Sequence, residues 1–199
     1  MKHFLFTILI GTFFSDLNGQ IVFSNDDCKL TFEKRNNATN LICSDSTISI
    51  KFELKHNVIP TGENNFVMVD SQVIQVIPIK FDGYKYDAPN LDTNNQKKLL
   101  DIYSRYELNY FKTDLNVEVI NPNSQWVVTN SKRGWFVWYF RVGEIPLQVD
   151  KRIRIQLLAS TVISNKIITV NAPIQSDEDF TKAGLIVNEM METLTITKQ

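Results

Sequence analysis

The side chains best suited to recognition crowd into one short stretch of this 199-residue chain. All three tryptophans, Trp126, Trp135 and Trp138, fall there, interleaved with Phe136, Tyr139 and Phe140. On a strand over 134–142, alternate residues point to opposite faces. Trp135, Val137, Tyr139 and Arg141 then share one face, and Phe136, Trp138, Phe140 and Val142 share the other. Two apolar faces predict a central strand covered on both sides. Two uses of the rings stay open. They fill a core, or one face is left uncovered and Trp126, Trp135 and Tyr139 form a stacking platform for a sugar, peptide or other apolar ligand.

A second constellation is basic. Lys151-Arg152-Ile153-Arg154 follows Lys132-Arg133 in an earlier turn. On a strand, Arg152 and Arg154 project together, with Gln156 next along that face. Their guanidinium forks could grip a carboxylate or phosphate. The same charges could equally be a solvated strand face that discourages edge pairing.

Enzymatic arrangements find little material. The chain has two histidines, and one of them, His3, lies in the basic start of the opening segment. His56 is then the one candidate base for a Ser/His/Asp or Cys/His set. No G-x-S-x-G, Walker, G-x-G-x-x-G or H-E-x-x-H motif occurs. With seven glycines in all, phosphate-cradling loops are also poorly supplied. Asp26-Asp27 and the Asp177–Asp179 run sit beside turns or caps, where solvation accounts for them. The expectation is a protein without catalysis, metal or cofactor. The catalytic alternative is a hydrolase whose two carboxylates meet only in the fold, in a tryptophan-lined cleft.

The opening MKHFLFTILIGTFFSDLNGQ has a short basic start, an uncharged run from Phe4 to Phe14 and a polar end at Asn18-Gly19-Gln20. That is the layout of a secretory signal peptide, with an apolar run short for a membrane span. Residues 1–20 are read as the leader, cleaved near Gly19-Gln20, and 21–199 as one domain. The mature chain would be periplasmic or extracellular and carry no transmembrane segment. In an oxidising compartment, Cys28 and Cys43 are most simply a disulfide closing a loop of about fifteen residues. Asn37-Ala38-Thr39 fits a glycosylation sequon inside that loop. With 21 basic and 22 acidic residues, no strong field favours nucleic acid.

The elements that would position these groups are mostly strands. Lys29–Glu33, Thr47–Leu54 and Gln72–Phe81 alternate in character. Pro78 places the last at a sheet edge or ends it early. Leu99, Leu100, Tyr103 and Tyr106 recur at helical spacing, predicting an amphipathic helix over Thr93–Tyr110 after a cap in 91–94. Strands follow at Leu115–Ile120, Gln125–Thr129, Gly134–Val142, Arg152–Ile163 and Lys166–Ala172. Asn121-Pro122-Asn123, Asn130–Arg133 and Ser164-Asn165 would turn between them. Ser176 ahead of Asp177, Glu178 and Asp179 caps a last helix. Its apolar stripe is Phe180, Ala183, Val187, Met190, Met191 and Leu194.

The predicted class is α+β: an antiparallel meander with helices packed on the sheet, including the amphipathic C-terminal one. The ending consists of a hairpin at Ser164-Asn165, a strand over 166–172, a polar cap at Ser176 and a helix closing with Leu194-Thr195-Ile196. Over this last third the chain resembles the PsbP-like family. The resemblance implies the fold, and carries over no functional residue from a family with varied binding and scaffolding roles. The expected function is an exported binding or accessory protein for an unknown protein or small ligand. An inhibitor or immunity-type protein that neutralises a secreted partner is the other non-catalytic alternative.

Overall fold

The computed structural model describes residues 21–26, 29–35, 37–44, 47–63, 65–82, 91–143 and 153–198. In chain order the elements are β1 (Val22–Asn25), β2 (Lys29–Arg35), β3 (Ala38–Ser44), β4 (Ile48–Leu54), β5 (Val58–Pro60), β6 (Phe66–Val69) and β7 (Gln72–Asp82). Then come α1 (Thr93–Thr113), β8 (Val119–Val128), β9 (Gly134–Val142), β10 (Ile155–Ile163), β11 (Lys166–Ile174), α2 (Asp179–Thr193) and β12 (Thr195–Lys198). The leader, its cleavage site, Cys28 and Arg152 lie outside the described residues.

The strands form two antiparallel sheets, giving an α+β architecture. The larger runs β5-β6-β7-β11-β10-β9-β8, with β1 also paired to β7, and the smaller runs β12-β4-β3-β2. Strands β8 to β11 are neighbours in chain order. β7 pairs with β11 instead of β8, because α1 separates the two runs and the chain re-enters the sheet at its far edge. Alternation at 29–33 and 47–54 shows strands without showing which sheet they join. The structure gives them a sheet of their own.

Pro78 is not at an edge. It sits inside β7 opposite Ile168 of β11. On the other side of β7, β6 covers Gln72–Gln75 and β1 covers Ile79–Asp82. The Pro78 carbonyl accepts from Asp26 N–H on that side, so the missing proline donor falls at the gap between β6 and β1. No ladder bond is lost there.

Asn121-Pro122-Asn123 is likewise not a turn. It is an irregularity within β8, where the register against β9 shifts between Ile120 and Asn123. Asn121 takes φ of 48°, a left-handed conformation that asparagine tolerates better than most residues. The chain before it, expected as a strand from Leu115, is the exit of α1, with Val117 N–H donating to Phe111 O. At the far end, Thr195 and Ile196 leave the helix and pair with Lys51 and Ile50 as β12.

Both helices are placed by the caps and stripes that the sequence shows. Asp92 accepts from Asn95 N–H at 2.9 Å and starts α1. Ser176 bonds the Asp179 carboxylate at 2.7 Å and accepts a longer bond from Asp179 N–H before α2. Leu99, Leu100, Tyr103 and Phe111 of α1 join Ile77, Trp138, Phe140 and Leu158 on one face of the large sheet. On the other face, Ala183, Val187 and Met190 of α2 and Leu41, Ile50 and Phe52 of the small sheet close over Val76, Trp135 and Val170.

Candidate functional site

The aromatic strand β9 is covered on both sides. Trp135 is 0% exposed and packs in the α2-side cluster, and Trp138 is 2% exposed in the α1-side cluster. Trp126 stands opposite Phe136, so it faces the α1 side, away from Trp135 and Tyr139. Its indole lies over Gly134, where an added Cβ would come within 1.9 Å of the ring. Lys97 Nζ sits 5.1 Å from the ring centroid on α1. The expected platform of Trp126, Trp135 and Tyr139 is therefore not assembled. One of the three is sealed in the core, another fills the dimple left by a glycine on the opposite face, and the third is half-buried.

That third residue, Tyr139, lines a cleft of about 550 Å³ with Asn121, Pro122, Asn123, Arg141, Ile155, Asp177 and Phe180. Three local features build it. The β8 irregularity bends the edge strand and brings Asn121–Asn123 to the rim. β9 projects Tyr139 and Arg141 two residues apart on one face. The turn into α2 supplies Asp177 and Phe180. Tyr139 and Phe180 meet edge to face at 5.4 Å and 66°. Arg141 Nη1 donates to Asp177 Oδ1 at 2.8 Å, both side chains being largely exposed. Chemically the site offers ring surface, amide groups and a guanidinium with donors beyond the one Asp177 accepts. Asp177, the one carboxylate among the described lining residues, is already ion-paired.

The arginine pair is not seen as a unit. Arg154 is exposed just ahead of β10, with its backbone bonded to Val142 and Ile174, and Arg152 is not described. Gln156, expected beside them on one face, is 0% exposed beneath α1. A second hollow of about 510 Å³, at the end of the small sheet, is lined by Arg35, Asn37, Ala38, Glu53 and Lys55. The sequon residue Asn37 is exposed there. Cys43 is buried in β3 and is not free.

His56 stands between two carboxylates. Its Nδ1 lies 2.5 Å from Asp70 Oδ2 and its Nε2 lies 2.8 Å from Glu189 Oε2. The His56 contact, then the Asn57 N–H, hold the Asp70 carboxyl below its ordinary value. With a carboxylate on each side, the ring ties β4–β5, the β6–β7 turn and α2 together instead of standing ready as a base.

Sequence reasoning missed Asn121, Arg141, Asp177 and Phe180 as site residues. Arg141 carried a usable signal, as the lone charge ending an aromatic run on the Tyr139 face. Asp177 and Phe180 carried none, because a cap acid and a stripe residue look the same whether or not a cleft opens beside them.

No protein-family model matches the chain, and no curated protein matches it. Among solved structures, cyanobacterial PsbP (CyanoP) from Synechocystis sp. PCC 6803 matches with a TM-score of 0.41 and 10% identity. The match covers 85% of this chain and 93% of that one.

Proposed function

We propose that residues 21–199 are one exported, non-catalytic binding or accessory domain, periplasmic or extracellular, and that the Tyr139 cleft takes its ligand. The observation that carries this reading is the cleft lining. An aromatic pair lies beside an arginine and two asparagines, with no second carboxylate among the described lining residues to complete a hydrolytic pair. Such a lining suits a short peptide or a sugar, which present apolar surface and hydrogen-bonding groups side by side. The three-part opening segment supports export. So does a Cys28–Cys43 staple, since the partner of Leu30 across β2–β3 is Cys43 and Cys28 precedes Leu30 by two residues. Reduction should lower stability by about 3 kcal/mol, and superimposable melting curves for oxidised and reduced protein would remove the staple.

The ligand test is a titration of ¹⁵N-labelled mature protein with a cello-oligosaccharide and with a tripeptide. Shifts confined to Asn121, Asn123, Tyr139, Arg141, Asp177 and Phe180 are expected for one of them. Arg141→Ala should weaken that binding at least tenfold without moving the melting temperature. Spectra unchanged by both probes overturn the reading.

A further inference from the structure

The face of the large sheet beneath α1 carries a separate set of groups. Gln75, Gln156, Ser160, Thr169 and Asn171 all point there, and each is 0% exposed. Some satisfy one another. The Ser160 and Thr169 hydroxyls bond at 2.8 Å, and Asn171 Nδ2 donates to Gln75 Oε1 at 3.2 Å. Five polar atoms of this layer then have no hydrogen-bond partner among the described residues. They are Gln75 Nε2, Asn171 Oδ1, Gln156 Nε2 and Oε1 and Trp138 Nε1, while the Tyr103 hydroxyl lies by Thr169 and the Glu107 carboxyl.

Register shows that these atoms converge. Asn171 stands opposite both Gln75 and Leu158, and Leu158 stands opposite Trp138. That makes one continuous row across β9, β10, β11 and β7, with Gln156 the next same-face residue along β10. On α1, Tyr103 lies by Thr169, and Phe111 packs on Phe140 at 5.0 Å. Glu107 is one turn from each and so comes down over the row between them. Unpartnered buried groups each carry a full desolvation cost, and five together would rival the whole stability of a domain. A layer like this persists when a guest completes its hydrogen bonds.

We propose that the layer between α1 and the sheet is a binding site for a small uncharged molecule of amide or polyol type. Donors and acceptors are mixed around it, so the guest must offer both. Among the described residues no basic side chain shares the layer, which disfavours an anion. Burial pushes the Glu107 carboxyl up to about 8, so at neutral pH it is a neutral donor and acceptor. The site lies on the opposite face from the Tyr139 cleft and does not depend on it.

The experiment uses the mature protein, ¹⁵N-labelled, with acetamide and with glycerol as probes, added both to folded protein and during refolding because the layer is sealed. The reporters are the Trp138 indole N–H and the side-chain amides of Gln75 and Gln156. A saturable shift with probe-to-indole cross-peaks is expected for one probe. Gln156→Leu should weaken it at least tenfold while raising the melting temperature. Glu107→Gln, which keeps shape and hydrogen bonding, should stay within about threefold. Cross-peaks to long-lived water that neither probe displaces would overturn the proposal, leaving interior hydration only. So would a Gln156→Leu variant that melts lower and binds unchanged.

Discussion

The two faces of the large sheet are built from the same strands yet differ in kind. On the α2 side the buried polar groups are few and mostly satisfied. Gln72 Nε2 donates to Pro173 O and Thr161 Oγ1 to Gly134 O, each at 2.8 Å. Trp135 Nε1 and Glu189 Oε2 have no hydrogen-bond partner among the described residues, although Glu189 Oε2 lies beside the His56 ring. On the α1 side, two glutamines and an asparagine lie under the helix that carries Glu107, with most of their polar atoms unpartnered. Burial alone therefore does not make a core. One side is shaped by exclusion of water, whereas the other is held in a polar arrangement that apolar substitution should stabilise.

Breaking the α2 side should have the largest effect. Trp135→Ala leaves a hole in the sealed cluster and should cost about 3–5 kcal/mol in urea unfolding. A smaller loss would mean that the face is less tightly packed than its burial shows.

On the α1 side the decisive variable is pH. Burial raises the Glu107 carboxyl to about 8 from an ordinary 4.5, so between those limits the folded state keeps a proton that the unfolded chain has released. Stability must then fall as pH rises through that window, by about 1.4 kcal/mol per unit, and level off above it. Glu107→Gln should remove the slope, as unfolding series from pH 5 to about 8.5 would show.

Gly134→Ala sharpens the contrast between the faces. Its Cβ would strike Trp126, not Trp135, so the loss of about 1–3 kcal/mol should come with a changed Trp126 fluorescence and an unaltered α2 side. Asp70→Asn should be the mildest, about 1 kcal/mol or less for a partly exposed contact. Asp70 is held below its ordinary 3.8, so its contribution is present above that value and is lost as pH falls below it. Acid melts of variant and parent should converge at the low end.

Much of this division was legible in the sequence. The doubly apolar strand at 134–142 does lie between two layers, and the stripe from Ala183 to Met191 does face the core. What stayed hidden depends on contacts between distant segments. Pro78 marks an edge only if one partner strand runs along its whole side, and here two short strands share that side. Asn121-Pro122-Asn123 has turn chemistry, but left-handed asparagine serves a strand irregularity as well as a turn. Gln156 and Asn171 look like solvent positions because period-two alternation cannot say that a helix covers the polar side. Tyr139 was a candidate on its aromatic character, while the residues that make its cleft come from β8 and α2.

The gap at Pro78 also sets how the sheet comes undone. Its rim is stitched as two separate hems of four residues each, β6, which β5 backs in turn, and β1, which pairs with β7 alone among the described strands. Unzipping the β1 hem leaves β6 fastened, so deuterium should enter the amides of Ile79–Asp82 that face it well before those of Gln72–Gln75.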